Sequence, residues 1–537
     1  MGKIEMRPRR ETFKNKIFEK HQAFILGTVV LAVITVVVLM SMAGALTSSS
    51  AADVSADKSA PNAVWAKNFG GNDEDCFSSV IATDDGFIAV GYSETKSLGN
   101  GDWTGVAGKG GEDAIIVKYD LNGNVVWKKN FGGSDDDWFT GVVDAGDGYV
   151  AVGASTSGSF GNGDWAGVAE KGTPPFKIYG DAIIVKFDLN GKVVWKKTFG
   201  GSYDDTFFGI CVASGGYVVV GGTDSRGSGD WSNVSKKYDA DAMIVKFDLK
   251  GNVVWKKVFG GSNTDVFRAV VAASDGYVAT GYSRGGFDSG DWVGVSGNGD
   301  VDAIAVKFDQ NGNVMWKDNF GGLDLDYFYS VAASPDGYVA VGESSAIAGG
   351  DWTGSTQTGL AIIVKFDTNG NILWKKAFGG SGSGSECFYS VAATSDGYVA
   401  AGGSYVGAGG DWTGVAVRGG EDAVIVKFDT SGNAVWKKSF GGSDLDVFES
   451  IAIVSEGYVA TGVSHTESFG NGDLVGLTGN GGLYDATIVL FEANFSNSSS
   501  DGGSDSSDSS IMLWIGIAVV IIVLGAAAAF ILHRRKI

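Results

Sequence analysis

Acidic side chains recur once in each of seven similar stretches of this chain, always two positions before a phenylalanine. Carboxylate oxygens are the ligands that hard cations such as Ca²⁺ prefer, and the segments NDED at 72–75 and SDDD at 134–137 are the densest groups. The pattern therefore predicts a calcium site. The alternative is that each carboxylate accepts hydrogen bonds from the backbone of its own turn. The candidate cation ligands are Asp75, Asp137, Asp205, Asp265, Asp326, Glu386 and Asp446.

A Gly-Asp-Trp motif forms a second recurring set, and only its seventh copy differs, as Gly472-Asp473-Leu474. Tryptophan beside a carboxylate can stack on a sugar ring and hydrogen-bond to it, which predicts glycan binding. The alternative is that each indole packs its own loop onto the fold. The candidate ligand-binding residues are Trp103, Trp165, Trp231, Trp292, Trp352 and Trp412.

Motifs for catalysis are scarce in this sequence. Outside the two tails there is one histidine, His465, which excludes a zinc site built from several histidines. No Gly-x-Ser-x-Gly elbow with triad partners stands out. Acidic residues are abundant, so a glycosidase that uses a pair of carboxylates stays open. The insertion EKGTPPFKIYG at 170–180 is either a partner-binding lip or a tolerated loop expansion. No catalytic residue is assigned.

The elements that must position these residues belong to a repeat marked by tryptophan. An apolar strand reaches a tryptophan, and charged residues and Phe-Gly-Gly follow, at intervals of 58 to 68 residues. A period of this size that recurs seven times indicates a repeat architecture. We expect these tryptophans to belong to the core. They are Trp65, Trp127, Trp195, Trp255, Trp316, Trp374 and Trp436.

Each repeat contains four predicted strands. In the fourth repeat they are VFRAVVAAS, YVATGYS, DAIAVKFD and VMWKDNF, and Asp275-Gly276 and the segment 310–313 supply tight turns. Asp-Gly and Asn-Gly between β-branched runs are strong hairpin signals. Four antiparallel strands with both faces apolar predict a propeller blade. The long loops between the second and third strands then lie on one face of the ring, where we expect binding.

The ends of the repeat region complement each other. The region starts with a lone fourth strand, NAVWAKNF at 62–69, and finishes with a lone third strand, DATIVLFEA at 485–493. The first of these can complete the last blade and remove an open sheet edge. The sequence therefore predicts an all-β fold, a single seven-bladed β-propeller at 62–493 that is closed by its N-terminal strand.

The repeat resembles a known family. The segments WKKTFGGSYDDTFFGICVASGGYVVVGG and DAMIVKFDLKGNVVWKKVFGG are similar to the β-propeller repeat called SBBP, which bacterial and archaeal surface proteins carry. The resemblance covers residues 62–493. It implies a propeller on an exported surface protein, and it implies no reaction.

Apolar segments long enough to span a bilayer lie near both ends of the chain, and basic residues flank them on the side that would face the cytoplasm. The first is an uncleaved anchor or a cleaved signal peptide. The predicted segments are a basic cytoplasmic segment at 1–22, a transmembrane helix or signal peptide at 23–46, a leader at 47–61, a Ser/Asp-rich stalk at 494–510, a transmembrane helix at 511–532 and a basic cytoplasmic tail at 533–537.

Charge and cysteine content limit the possible partners. The formal net charge is −21, and both ends are basic, so the propeller is more acidic than the whole chain and should repel nucleic acid. Cys76, Cys211 and Cys387 are far apart and should stay unpaired. We expect a cell-surface binding or adhesion protein, anchored in the membrane with its propeller outside the cell, whose partners are glycans or surface proteins. The alternatives are an extracellular carbohydrate-active hydrolase and a structural cell-envelope component.

Overall fold

Short strands separated by turns of Gly, Asp and Asn build the whole of the described fold. The computed structural model describes residues 60–492 apart from 173–179, 226, 235–239, 347–348, 353–357, 381–384, 406–408, 417 and 456. These residues form seven four-stranded antiparallel sheets, which confirms the seven-bladed propeller. In chain order the strands are β1 (Ala63–Phe69), β2 (Asp75–Thr83), β3 (Gly86–Ser93), β4 (Asp113–Asp120), β5 (Val125–Phe131), β6 (Asp137–Asp144), β7 (Tyr149–Ser155), β8 (Asp181–Phe187), β9 (Val193–Phe199), β10 (Asp205–Ala213), β11 (Gly216–Thr223), β12 (Asp241–Asp248), β13 (Val253–Phe259), β14 (Asp265–Ala273), β15 (Gly276–Ser283), β16 (Asp302–Asp309), β17 (Val314–Phe320), β18 (Asp326–Ser334), β19 (Gly337–Ala346), β20 (Thr358–Phe366), β21 (Ile372–Phe378), β22 (Glu386–Thr394), β23 (Gly397–Ser404), β24 (Asp422–Asp429), β25 (Ala434–Phe440), β26 (Asp446–Val454), β27 (Gly457–His465) and β28 (Tyr484–Glu492).

The long loops contain short 3₁₀ turns. Most of these turns consist of the Gly-Asp-Trp motif itself, so the motif has a defined backbone conformation in every blade. The turns are Gly101–Trp103, Ser157–Ser159, Gly163–Trp165, Gly229–Trp231, Gly290–Trp292, Gly350–Trp352, Gly410–Trp412, Thr466–Ser468 and Gly472–Leu474.

The first strand of each blade lies at the centre of the ring. Within a blade the sheet order follows the chain, as in β2-β3-β4-β5. The first strands contact one another from blade to blade, and the contact of β2 with β26 completes the circle. These seven strands, β2, β6, β10, β14, β18, β22 and β26, therefore enclose the central channel.

Every innermost strand carries a β-bulge at the same place. In β14, Phe267 lies opposite Gly281 and Ala269 lies opposite Thr280, so Arg268 is left out of the ladder. The same shift occurs three residues after the initial acidic residue in all seven blades. A bulge redirects the side chain of its extra residue and is frequent next to functional sites.

The repeat-marking tryptophans join neighbouring blades. The indole N–H of Trp127 donates to the carbonyl oxygen of Leu189, 3.1 Å away, in the outer hairpin of the next blade. Gly191 of that hairpin has φ +75°, and a Cβ there would lie 2.9 Å from the Trp127 ring. The hairpin glycine is thus required twice, for its backbone conformation and for the ring that it faces. The sequence predicts that Trp127 belongs to the core. In the structure it is only partly buried, because it lies at the perimeter of the ring.

The N-terminal strand closes the ring. β1 pairs antiparallel with β28, with Ala63 opposite Phe491 and Phe69 opposite Ala486. The backbone N–H of Glu492 donates to the carbonyl oxygen of Asn62 at 3.1 Å. This pairing confirms the predicted closure. Because β1 enters and β28 leaves at the hairpin end of the blade, the chain meets itself on the face opposite the long loops.

The fold prediction needs one correction, which concerns the membrane. Among residues 60–492, as far as they are described, no helix is long and apolar enough to cross a membrane. The described fold is therefore the propeller alone, and it does not include the flanking transmembrane helices that the sequence predicts. The segments 1–22, 23–46, 494–510, 511–532 and 533–537 lie outside the described residues, as does all but the end of the leader at 47–61.

Candidate functional site

The predicted acidic residue of each blade lies at the centre of a buried hydrogen-bond network. In blade two the backbone N–H of Gly133 donates to Asp137 Oδ2 at 2.8 Å, and the Ser159 hydroxyl donates to the same oxygen at 2.7 Å. Asp137 Oδ1 accepts the Ser155 hydroxyl and the indole N–H of Trp165, the latter at 2.9 Å. The carboxylate therefore fixes the inter-blade turn and the long loop at once.

The two predicted sets of site residues are thus brought together as pairs. The same indole-to-carboxylate bond joins Trp103 to Asp75, Trp231 to Asp205 and Trp292 to Asp265, at 2.7 to 3.2 Å. Blades five to seven differ. Neither Nε1 of Trp352 nor that of Trp412 has a hydrogen-bond partner in the described part of the chain, and Leu474 replaces the tryptophan in blade seven.

Both sets are buried. The six tryptophans expose at most 7% of their surface, and the seven acidic residues at most 2%. No group of three or more His, Cys, Asp or Glu side chains within the described ranges is arranged to hold a metal ion. In this structure both sets hold the loops in place. Calcium and glycan binding by these residues stay predictions, and either would require the side chains to leave these contacts.

The aspartate of the Gly-Asp-Trp motif also has a structural role. Asp102 Oδ2 accepts the backbone N–H of Gly70 at 3.1 Å. In the next blade, Asp164 pairs with Lys109 at 2.8 Å, and Lys109 belongs to the long loop of the preceding blade. Each such contact fastens one long loop to its neighbour, which explains why the whole motif recurs.

The lysines of the third strands pair with carboxylates of the inner turns, which join the first and second strands of the blades. Lys307 lies 2.8 Å from Asp275, and the pairs at Lys186, Lys365 and Lys427 are equivalent. The inner turn of blade three has no aspartate, and there Lys246 donates to the Tyr277 hydroxyl at 3.1 Å. These lysines therefore belong to the scaffold.

Burial raises the pKa of the acidic residue that opens each innermost strand. Loss of water is the largest cause, and the hydrogen bonds described above oppose it. The pKa is raised to about 6 for Asp75, Asp137, Asp205, Asp265 and Asp446, and to about 7 for Asp326 and Glu386.

We expect the propeller to be more stable at pH 5 than at pH 8. A carboxyl group whose pKa is higher in the folded than in the unfolded chain binds more protons when folded, so its contribution is complete below about pH 4 and is lost as the pH rises through 6 to 7. Other turn carboxylates, such as Asp120 and Asp336, have a lowered pKa. They are already ionised at pH 5, so they do not oppose this trend between pH 5 and pH 8. Urea unfolding midpoints at the two pH values measure it. A higher midpoint at pH 8 would contradict it.

The bulged residues of the innermost strands differ in type between most blades. The residue before each is phenylalanine in all seven blades, and the residue that opens each strand is acidic. The repeat therefore fixes these two positions but does not fix the side chain at the bulge. The bulged residues are Ser78, Thr140, Phe208, Arg268, Tyr329, Tyr389 and Glu449.

Aromatic rings line one half of the channel around Arg268. The Arg268 Cζ lies 4.4 Å from the ring centre of Phe208, 5.8 Å from that of Tyr282 and 5.9 Å from that of Tyr329. The rings of Tyr329 and Tyr389 are 5.4 Å apart and continue the aromatic wall into the next blade. The guanidinium is thus held by cation–π contacts.

The guanidinium of Arg268 has hydrogen-bond donors that no protein acceptor in the described part of the chain uses. Its buried Nε makes no hydrogen bond, and no described residue forms an ion pair with its guanidinium. A guanidinium carries five N–H donors in a fixed fork that suits a carboxylate or a phosphate. The aromatic rings fix its position without using those donors.

Small and acidic side chains line the other half of the channel. Ser78 and Thr140 are the smallest of the bulged residues, and Glu449 lies between them and Tyr389 in ring order. Glu449 is partly buried and makes no hydrogen bond or ion pair with any residue that the structure describes. Burial raises the pKa of Glu449 to about 7, and the charge of Arg268 opposes the rise. Because these two residues belong to blades seven and four, that coupling acts across the channel.

Further carboxylates lie at the long-loop end of the channel. Glu343 accepts the Tyr329 hydroxyl at 2.8 Å. Burial raises the pKa of Glu112 and of Glu421 to about 7. Repulsion from Asp136 adds to the rise for Glu112, and repulsion from Glu449 adds to it for Glu421. The mouth of the channel is therefore acidic, with Arg268 as a cation fixed among aromatic rings.

Sequence reasoning missed this channel because it searched for residues that recur. The signal was present, since the third residue after each acidic residue differs in type between most blades. The bulge that makes this residue special depends on strand register and cannot be seen in the sequence. Two other predictions fare differently: the three cysteines are unpaired as expected, and most of the blade-two insertion, 173–179, lies outside the described residues.

Comparisons with known proteins add little about function. No family model matches the chain, so the SBBP resemblance stays a prediction. The regulatory protein FlaEY of Caulobacter vibrioides is 24% identical over 208 residues, which are 37% of this chain and 20% of that protein. The chain therefore spans about a fifth of the length of this curated relative.

Solved propellers are similar in outline. BamB from Moraxella catarrhalis aligns with 81% of this chain and 100% of its own, with 13% identity and a TM-score of 0.38. The WD40 propeller domain of Doa1 aligns over 80% of this chain and 96% of its own length, with 11% identity and a TM-score of 0.40. Sqt1 from Chaetomium thermophilum aligns with 81% and 100%, with 12% identity and a TM-score of 0.40. The fold assignment rests on the strand order of this chain itself.

Proposed function

We propose that this propeller is a binding protein that takes its ligand in the central channel, at the level of the bulged residues. The observation that carries the proposal is the pair of charged channel residues, Arg268 held against aromatic rings with unused donors and Glu449 without a partner in the described part of the chain. Recurring polar residues elsewhere are occupied by turns, loops and inter-blade contacts. Adhesion to glycans or surface proteins, as the sequence predicts, would be one use of such a site.

The charge and shape of the channel support binding over the two alternatives. A ligand site needs a few convergent polar groups on an apolar background. In the channel, the aromatic wall is the apolar background. The polar groups are an arginine with unused donors and a carboxylate without a partner. A purely structural ring would not need an arginine and a carboxylate without partners at its centre, because partly buried unpaired charges are costly. A hydrolase would need two carboxylates in a fixed pair about the scissile bond, and Glu343 is already bonded to Tyr329.

A panel of probes tests the proposal on the full chain. We expect at least one of three classes, short peptides, neutral oligosaccharides and basic peptides, to raise the melting temperature and to bind in calorimetry. The double variant Tyr389→Ala with Glu449→Gln should weaken that binding at least tenfold. The fold should persist, because neither bulged residue takes part in the strand ladder.

A matched control lies on the opposite side of the ring. Leu189 and Leu249 are exposed at the outer hairpins, at 55% and 57%, and the variant Leu189→Ala with Leu249→Ala should bind like the original protein. If the hairpin variant lost binding and the channel variant kept it, or if no probe bound, the proposal would be wrong.

A further inference from the structure

Two channel residues of opposite charge face each other without a protein partner. Arg268 and Glu449 occupy the same bulge position in β14 and β26. Neither forms an ion pair with the other or with another residue in the described part of the chain. Partly buried charges are normally paired, because an unpaired charge is costly to remove from water. The space between them is therefore suited to a molecule that carries both countercharges.

We propose that the ligand of the channel is a small zwitterion, an amino acid or short peptide with free termini, whose carboxylate binds Arg268 and whose ammonium group binds Glu449. This inference rests on the proposed function and specifies its ligand. The carboxylate would accept two parallel N–H bonds from the guanidinium fork. The ammonium would donate to the Glu449 carboxylate.

The aromatic wall offers a packing surface for the part of such a molecule between its two charged groups. Phe208 and Tyr329 already hold the guanidinium by its faces, so its N–H edge is left for the ligand. Tyr389 lies beside Tyr329 in ring order towards Glu449, and an apolar segment between the two charged termini can pack on these rings. Ser78 and Thr140, on the opposite side, are the smallest of the bulged residues. A single cation or anion would leave one of the two protein charges without a partner.

The test uses a series of probes of increasing length: alanine, dialanine, trialanine and tetraalanine, each with free termini. For the best of them we prepare an N-acetylated form and a C-terminal amide. We expect each modification to weaken binding to the full chain at least tenfold in calorimetry. Because each cap removes one charge, the two forms report on the two ends of the site separately.

Variants of the protein assign each end to one residue. Arg268→Met should abolish the difference between the acid and the amide, and Arg268→Lys should restore part of it. Glu449→Gln should abolish the difference between the free and the acetylated amine. Melting temperatures confirm that each variant is folded. Differences between free and capped probes that persist in both variants would overturn the assignment.

The outcomes separate this inference from the proposed function. If a neutral oligosaccharide or a basic peptide binds and Tyr389→Ala weakens it, while no zwitterion binds, the channel is a binding site and the zwitterion is wrong. If no probe shows binding that depends on the channel residues, both proposals fail. Binding of a zwitterion that depends on both Arg268 and Glu449 supports both.

Discussion

Deletion of residues 62–69 is expected to abolish cooperative folding and to produce soluble aggregates or precipitate. The deletion removes β1, and with it Phe69, which is 1% exposed, and Trp65, which packs against the same core. Loss of a buried Phe or Trp each costs about 3–5 kcal/mol, so the two together approach the roughly 5–15 kcal/mol of a typical folded protein. The deletion also exposes the edge of β28, which can then pair with other molecules. Thermal unfolding and size-exclusion chromatography measure both effects.

A synthetic peptide provides the control for this deletion. A peptide of residues 60–71 added to the deleted chain should restore a cooperative transition, because it supplies both the strand that pairs with β28 and the Phe69 and Trp65 side chains that pack in the core. A scrambled peptide of the same composition should not restore it. A deleted chain that stays monomeric and melts like the original would show that the ring does not need β1.

Replacement of Asp137 by alanine is expected to cost about 3–5 kcal/mol, because it removes the shared acceptor of several buried donors and each unsatisfied donor costs roughly 1–3 kcal/mol. Gly133, Ser155 and Ser159 would keep buried donors that have lost this acceptor, and the Trp165 indole would keep only the Ser155 hydroxyl oxygen, 2.9 Å away. Each orphaned donor contributes its own desolvation cost. Urea unfolding of the variant measures the loss.

A double-mutant cycle assigns part of that cost to the indole. Trp165→Leu copies blade seven, where Leu474 takes the tryptophan position. Because the double variant lacks both bonded groups, its loss should be smaller than the sum of the two single losses. Asp300→Ala, at an exposed position, should stay within about 0.5 kcal/mol of the original. Additive losses in the cycle would show that the bond between Asp137 and Trp165 contributes nothing.

Local chemistry made the fold predictable. The outer hairpin shows why, because Asp188 accepts the backbone N–H groups of Asn190 and Lys192 and Gly191 supplies the positive φ. Such turns identify themselves in the sequence, and with alternating strands they set the number of blades. The closure was predictable as well, because a lone fourth strand and a lone third strand complete one blade between them.

The site was not predictable for the opposite reason. The bond between Trp165 and Asp137 joins residues 28 positions apart, and a long loop can bring them together only through tertiary contacts. Recurrence of the two sets suggested chemistry, and in this structure both sets are buried and hold the loops in place. Arg268 is the one arginine and Glu449 the one glutamate at the bulge position of the seven blades. Only the strand register places these two residues at the same level of one channel.

The closing strand also sets the order in which the molecule can be completed during its synthesis. Asn62 and Glu492 are 430 residues apart in sequence, and a ribosome adds about 5–20 residues per second. The first strand must therefore wait about 20 to 90 s for its partner, while six blades form behind it. During that interval an apolar strand and an unfinished ring are exposed to other chains. A cell that makes this protein must protect the start of the chain until its end emerges.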